Sequence, residues 1–214
     1  MTHQIPTISI SKEALTTLPV TAYAGGITVV DTMDKARAAV RYLRKARLIG
    51  FDTETRPSFR KGLTYKVALM QLYTDNHCFL FRLNKIGFPD GLREILENPD
   101  IVKIGLSVHD DFTVLRRICP DFKPQSFIEL QTYVKQFGIS DISLQKIYAI
   151  VFGQYMSKNQ RLTNWEAAEL NPAQQAYAAL DAKACLDLYV HMRQGSFDPW
   201  KSEFITDSTP HTVN

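Results

Sequence analysis

Apolar positions along the chain alternate between two periods, and the switches mark the elements. Residues 27–30 are a short apolar run after the Gly25-Gly26 pair, which predicts a strand. Ala36, Ala39, Val40 and Leu43 then recur at helical spacing, predicting a helix that Asp31 or Thr32 caps and that runs to about Arg47. Leu48-Ile-Gly-Phe-Asp52 returns to a short apolar run, a buried strand that ends on an acid. Residues 67–73 and 77–82 read as two strands joined by Thr74-Asp75-Asn76. Next come a helix over 90–97, a strand over 101–105 and a helix over 109–118 that stops before Cys119-Pro120. A short strand at 127–130 runs into a helix, a further helix covers 143–151, and 153–165 is loop. A long helix over 172–192 closes the pattern, with Pro172 in its first turn. Mixed strand and helix order predicts an α/β fold, and the hairpin predicts a mixed central sheet of about five to six strands flanked by helices.

Prolines and glycines divide the chain further. Residues 1–26, with Pro6, Pro19 and Gly25-Gly26, predict an extended arm. Residues 27–195 form the domain, and the polar residues 196–214, with Pro199 and Pro210, predict a poorly ordered tail.

Composition narrows the class without naming a chemistry. At 214 residues, 45% hydrophobic and 22% charged, the chain is large enough for one ordinary globular core. A net charge of +3 does not establish a polyanionic partner, but its distribution is uneven. Between Lys35 and Lys66 stand ten basic residues and only two acids, Asp52 and Glu54. A basic zone around an acidic pair suits a site that meets metals and phosphates, and equally a solvated helix face plus a basic loop. Cys78, Cys119 and Cys185 form no Cys-x-x-Cys, so a reducing cytoplasmic setting is expected, with neither disulfides nor zinc. The N-terminus lacks a signal pattern, and no apolar run is long enough to span a bilayer.

Three segments carry candidate chemistry. Asp52 lies where an apolar strand ends, the usual ligand position in α/β sheets, and Glu54 returns to the same side by the strand's period of two. Taken alone, such a pair also fits a turn or helix cap. Residues 103–115 read as strand, turn and helix, with Asp110 and Asp111 in the first helical turn, where acids also simply complement the helix dipole. His109 beside them reads as a surface residue. Tyr177 and Asp181 are four apart in an Ala-rich helical stretch and leave the same face. Carboxylates converging on one point repel unless cations neutralise them, and a pair of hard divalent ions suits phosphoryl transfer.

In combination, Asp52-x-Glu54, a later post-strand Asp and Tyr177-x-x-x-Asp181 resemble the three motifs of the DEDD superfamily of 3′–5′ exonucleases. Tyr177 places the resemblance in the DEDDy group. Lys66-Val-Ala-Leu-Met-Gln-Leu72 and the run from Ser157-Lys158 through Arg161, Asn164-Trp165 and Pro172 to Asp181 are similar to the Werner-type exonuclease domain and to ribonuclease D. The resemblance implies a ribonuclease H-like fold and two Mg²⁺ or Mn²⁺ ions held by Asp52, Glu54, Asp111 and Asp181. It further implies that Tyr177 orients the attacking water. Counting from Gly105 selects Asp111, with Asp110 as the fallback. Thr53, Arg56, Arg60, Lys61, Lys158, Arg161, Asn164 and Trp165 are the candidate nucleic-acid contacts. Trp165 reads equally as a lid on the core. The expected activity is hydrolysis from a free 3′ end, DNA favoured. The alternatives are RNA trimming of the ribonuclease D kind and a catalytically silent nucleic-acid-binding domain.

Overall fold

The structure, a computed structural model, describes residues 4–60 and 62–212. Strand β1 (Gln4–Ile8) and helix α1 (Lys12–Thr17) precede β2 (Gly26–Val30), α2 (Met33–Leu43) and β3 (Leu48–Thr55). Strands β4 (Val67–Thr74) and β5 (His77–Phe81) come next, then α3 (Leu83–Ile86), α4 (Asp90–Glu97), β6 (Val102–Gly105) and α5 (Val108–Arg116). The chain continues through β7 (Phe127–Glu129), α6 (Leu130–Tyr133), α7 (Leu144–Phe152), α8 (Pro172–Arg193) and β8 (Ile205–Thr212).

Six strands form the central sheet in the order β2-β5-β4-β3-β6-β7. The β3–β4 and β4–β5 pairs are antiparallel and the others parallel, the mixed sheet that the hairpin predicts. Asp75 and Asn76 turn the hairpin at φ of 48° and 57°, left-handed values that these two residue types tolerate. Helix α2 starts as expected, with the Thr32 hydroxyl accepting from Lys35 N–H at 3.3 Å. It ends at Leu43, short of Arg47, because the turn tightens: Lys45 N–H bonds Tyr42 O and Ala46 N–H bonds Leu43 O.

The two ends of the chain differ from their sequence reading. The supposed arm holds β1 and α1, and the supposed tail holds β8, which pairs antiparallel with β1 from Gln4↔Thr212 to Ile8↔Ile205. Neither strand announces itself locally, since each has its partner at the far end of the chain and each carries a proline, which edge strands accept. Burial anchors the first segment, with Ile8 and Ile10 at 0% and 1% exposed.

Apolar clusters cover both sheet faces. On one, Phe51, Met70 and Leu72 pack against Ala36, Ala39 and Val40 of α2 and against α4 and α5. On the other, Leu69, Tyr73 and Leu80 meet Ala178, Ala179 and Ala182 of α8. Because Phe51 faces α2, its neighbours Gly50 and Asp52 face α8. A Cβ on Gly50 would lie 2.0 Å from the Ala182 carbonyl oxygen, so glycine and a run of alanines let α8 sit directly on β3. The basic residues of α2 therefore lie across the sheet from the acidic pair. Lys35 and Arg37 are engaged by Asp31 and Asp34, and Arg44 just beyond the helix by Glu94, as a solvated helix face. Among the described residues no helix is long and apolar enough to cross a membrane.

Candidate active site

Strand β3 delivers Asp52 and Glu54, and α8 delivers Tyr177 and Asp181 above them. The α8 end is well specified: the Asn171 side chain accepts from Gln174 N–H at 2.9 Å while the Gln174 side chain accepts from Asn171 N–H at 3.1 Å. With Pro172 at the first turn, the helix starts at a defined residue, and the 3.6-residue repeat places Tyr177 and Asp181 on the sheet-facing side. One carboxylate oxygen from each of Asp52, Glu54 and Asp181 lies within 4.8 Å of the others. These three form the described cluster of acids; Asp111 stands beside it. The Thr53 hydroxyl donates to Asp111 Oδ1 at 2.5 Å, tying the first turn of α5 to β3.

The turn that sets Asp111 rests on residues with no motif signature. Ser107 occupies the left-handed region at φ 61°, and its N–H and that of Val108 donate to the Glu129 carboxylate at 2.9 and 2.8 Å. An acid at a helix N-terminus satisfies otherwise unpaired amides. Asp111 is half-buried while Asp110 and His109 are exposed.

Burial and mutual repulsion dominate the electrostatics. Burial pushes the Asp52 carboxyl up to about 7, opposed by its hydrogen bond with the Thr53 backbone. Glu54 is pushed up to about 10, first by burial and then by Asp52 and Asp181, with Arg161 opposing. Asp181 and Asp111 are raised well above the carboxylate range by burial and by Asp52. Tyr177 stands beside Asp181 in the same cavity, and burial and the surrounding acids keep its phenol protonated. Among the described residues no cationic side chain forms an ion pair with any of these four acids. Crowded carboxylates without a direct ion pair are a hard-cation donor set, so the residues fit a divalent metal.

A cavity of about 400 Å³ opens over the cluster. Its floor is Asp52, Thr53, Glu54, Tyr177 and Asp181; one wall is Ile142, Ser143, Leu144 and Gln145, and the other carries Lys158 and Arg161. A second cavity of about 480 Å³ is lined by Arg56, Phe59, Arg60, Tyr65, Leu162 and Asn164. Arg56 lies 4.8 Å over the Tyr65 ring and pairs with Glu166 at 3.4 Å. Asn164 is partly committed, its side-chain oxygen accepting from Glu166 N–H at 3.1 Å. Lys61 lies outside the described residues.

Trp165 does not belong to the nucleic-acid interface. It is 0% exposed, packed with Leu69 and Leu80, and its ring centroid lies 6.0 Å from that of Tyr177. A ring enclosed in this way cannot stack on a base, and the lid reading is the one that holds. Thr53 reaches the cavity, but its hydroxyl is engaged by Asp111. The residues 142–145 wall escaped the sequence reading because its local pattern marks only the start of a helix.

Carboxylates gathered at a strand end and on a facing helix, above an α/β sheet and below a basic wall, fit the class of phosphodiesterase domains that use divalent metals. Residues 27–195 match the family model described as 3′-5′ exonuclease, and the chain belongs to that family. It is 34% identical over 149 residues to the Mus musculus bifunctional 3′-5′ exonuclease/ATP-dependent helicase WRN, covering 66% of this chain and 10% of that protein. An Arabidopsis thaliana 3′-5′ exonuclease is 32% identical over 157 residues, covering 66% of this chain and 51% of that protein. The chain thus spans a tenth of the first and about half of the second. The Aedes aegypti Nibbler EXO domain superposes with a TM-score of 0.70 at 22% identity, over 82% of this chain and 92% of that one. The architecture is the ribonuclease H-like fold expected from the sequence.

Proposed function

We propose that this protein is a metal-dependent 3′–5′ exonuclease that hydrolyses the terminal phosphodiester of a nucleic-acid strand with a free 3′ end. The observation that carries the reading is the convergence of Asp52, Glu54 and Asp181 within 4.8 Å, beneath Lys158 and Arg161. Asp52, Glu54 and Asp181 would hold one Mg²⁺ or Mn²⁺, and Asp52 with Asp111 a second. Such ions supply Lewis acidity and charge neutralisation at the phosphate.

The chain's own groups divide the remaining work. Tyr177, protonated and one helical turn from Asp181, presents a phenol beside the acids that orients the attacking water. Lys158 and Arg161 meet the phosphate charge and counter the acids' repulsion of an anionic strand. Arg56, Arg60 and Asn164 line the adjoining cavity, where exposed Phe59 offers a stacking surface for a further nucleotide.

DNA is taken as the preferred polymer, supported by the greater identity to the WRN exonuclease, 34%, than to the two ribonuclease D relatives, 24% and 29%. A cytoplasmic setting is part of the same reading and rests on cysteine content. The deciding experiment incubates the protein with 3′- and 5′-labelled DNA and RNA single strands in Mg²⁺, Mn²⁺ or EDTA. Early release of the 3′ label as mononucleotide in metal, with none in EDTA, is expected. Cleavage in EDTA, or release from the 5′ end, refutes the reading.

A further inference from the structure

Residues 8–21 lie outside the span matched to the exonuclease family, yet they are bonded to the segments that continue into both walls of the cavity. On the first side, Ile8 N–H donates to Gly138 O at 2.8 Å and Ser140 N–H returns to Ile8 O at 3.0 Å. The Ser9 hydroxyl and Ile10 N–H both donate to Asp141 Oδ2 at 2.9 Å, and Lys146 donates to its Oδ1 at 2.7 Å. Gly138 takes φ +79°, and a Cβ there would lie 2.0 Å from Pro6 O, so this contact requires glycine. The next residues along the chain, Ile142 to Gln145, are the cavity wall itself.

On the second side, Thr21 N–H donates to Tyr155 O and Tyr155 N–H donates to Pro19 O, each at 2.8 Å. Met156 follows, its carbonyl accepting from Gln145 Nε2 at 2.6 Å, which joins the two walls behind the cavity. Two and five residues further on stand Lys158 and Arg161. Between these attachments the segment is anchored by Ile8, Ile10 and Leu15, which pack in one cluster with α7 and α8.

We infer that residues 8–21 form a strap that fixes the spacing of the two walls and so positions Lys158 and Arg161 on the bound strand. This rests on the exonuclease reading and adds a positioning element to it. A loop that carries phosphate-binding cations loses conformational entropy when it closes on a strand, and one already bonded at its base loses less. The strap should therefore matter for long substrates and little for the bond-breaking chemistry.

Two variants release one wall each at residues that do not line the cavity over the acids; Thr21 lines a neighbouring cavity with Tyr177, and the ester assay reports any effect there. Thr21→Pro removes the N–H that holds Tyr155, and Asp141→Ala removes the acceptor shared by Ser9 and Ile10. Each full-length variant is assayed on a labelled single-stranded oligonucleotide and on the p-nitrophenyl ester of thymidine 5′-monophosphate, with amide hydrogen exchange followed over 138–145 and 156–164. The KM for the oligonucleotide should rise about tenfold, the scale of one or two lost hydrogen bonds, while turnover of the ester changes less than about twofold. Exchange should accelerate in the wall that each variant releases. Unchanged KM with unchanged exchange in both variants overturns the strap, as does an equal loss on both substrates, which marks general unfolding. A wild-type protein that degrades neither substrate sinks the exonuclease reading instead, and exchange then decides the strap alone.

Discussion

The protonation of Asp52 offers a test of the site that does not depend on turnover. Burial penalises the charge and pushes its carboxyl up to about 7, against 3.8 for an ordinary aspartate. Between these values the folded state keeps a proton that the unfolded state has released. Unfolding then releases protons, so stability falls as pH rises through that window. From pH 5 to 7 the fall is about 2–3 kcal/mol at roughly 1.4 kcal/mol per pH unit, or about 5–10 °C in Tm for a chain of this size. Asp52→Asn removes this group, keeps the shape and relieves its repulsion of Glu54, Asp111 and Asp181, so the difference between the two proteins reports Asp52 together with its coupling to those acids. Groups with lowered values elsewhere, such as Asp31 and Asp121, act alike in both proteins and cancel in the difference. The assay is thermal unfolding of wild type and Asp52→Asn across pH 5 to 8 in EDTA, repeated in excess Mn²⁺. In EDTA the wild type should fall progressively below the variant as pH rises. Mn²⁺ should restore the wild type by mass action and do far less for the variant. A gap that stays constant with pH, or equal stabilisation of both proteins by Mn²⁺, would refute a desolvated, cation-seeking Asp52.

Three further outcomes follow from the geometry. Asp111→Asn should lose nearly all turnover while Asp110→Asn, exposed and without the bond to Thr53, loses much less; the reverse ranking in matched assays would show a register error of one residue. Tyr177→Phe should bind Mn²⁺ as wild type does but turn over about 10²-fold more slowly, whereas Asp181→Ala should lose Mn²⁺ affinity too, as titration of both variants would show. Gly50→Ala forces a methyl against the Ala182 carbonyl and should push α8 from β3, costing about 1–3 kcal/mol in denaturant unfolding and most of the activity. An Ala variant with wild-type stability would mean that β3 and α8 are less closely packed than described.

The sequence by itself determined the elements of the domain and the chemistry at their ends. Short apolar runs, the Asp75-Asn76 turn, the Thr32 and Asn171 caps and the i, i+4 spacing of Tyr177 and Asp181 are local features, each set by a few neighbouring residues. The acids were legible for the same reason, since their spacing from strand ends and along a helix is a property of the chain. Tertiary structure alone decided what those residues face. Helix α2 carries its arginines to the sheet face opposite the acids, Trp165 turns into the core, and the start of the helix read over 143–151 becomes a wall of the cavity. The pairing of β1 with β8, and the bonds from Ile8, Ser9, Ile10 and Thr21 to the cavity walls, join segments far apart in the chain. Each partner there is locally ordinary, because a hydrogen bond between distant segments is specified by where the packed core brings them and not by the residues on either side.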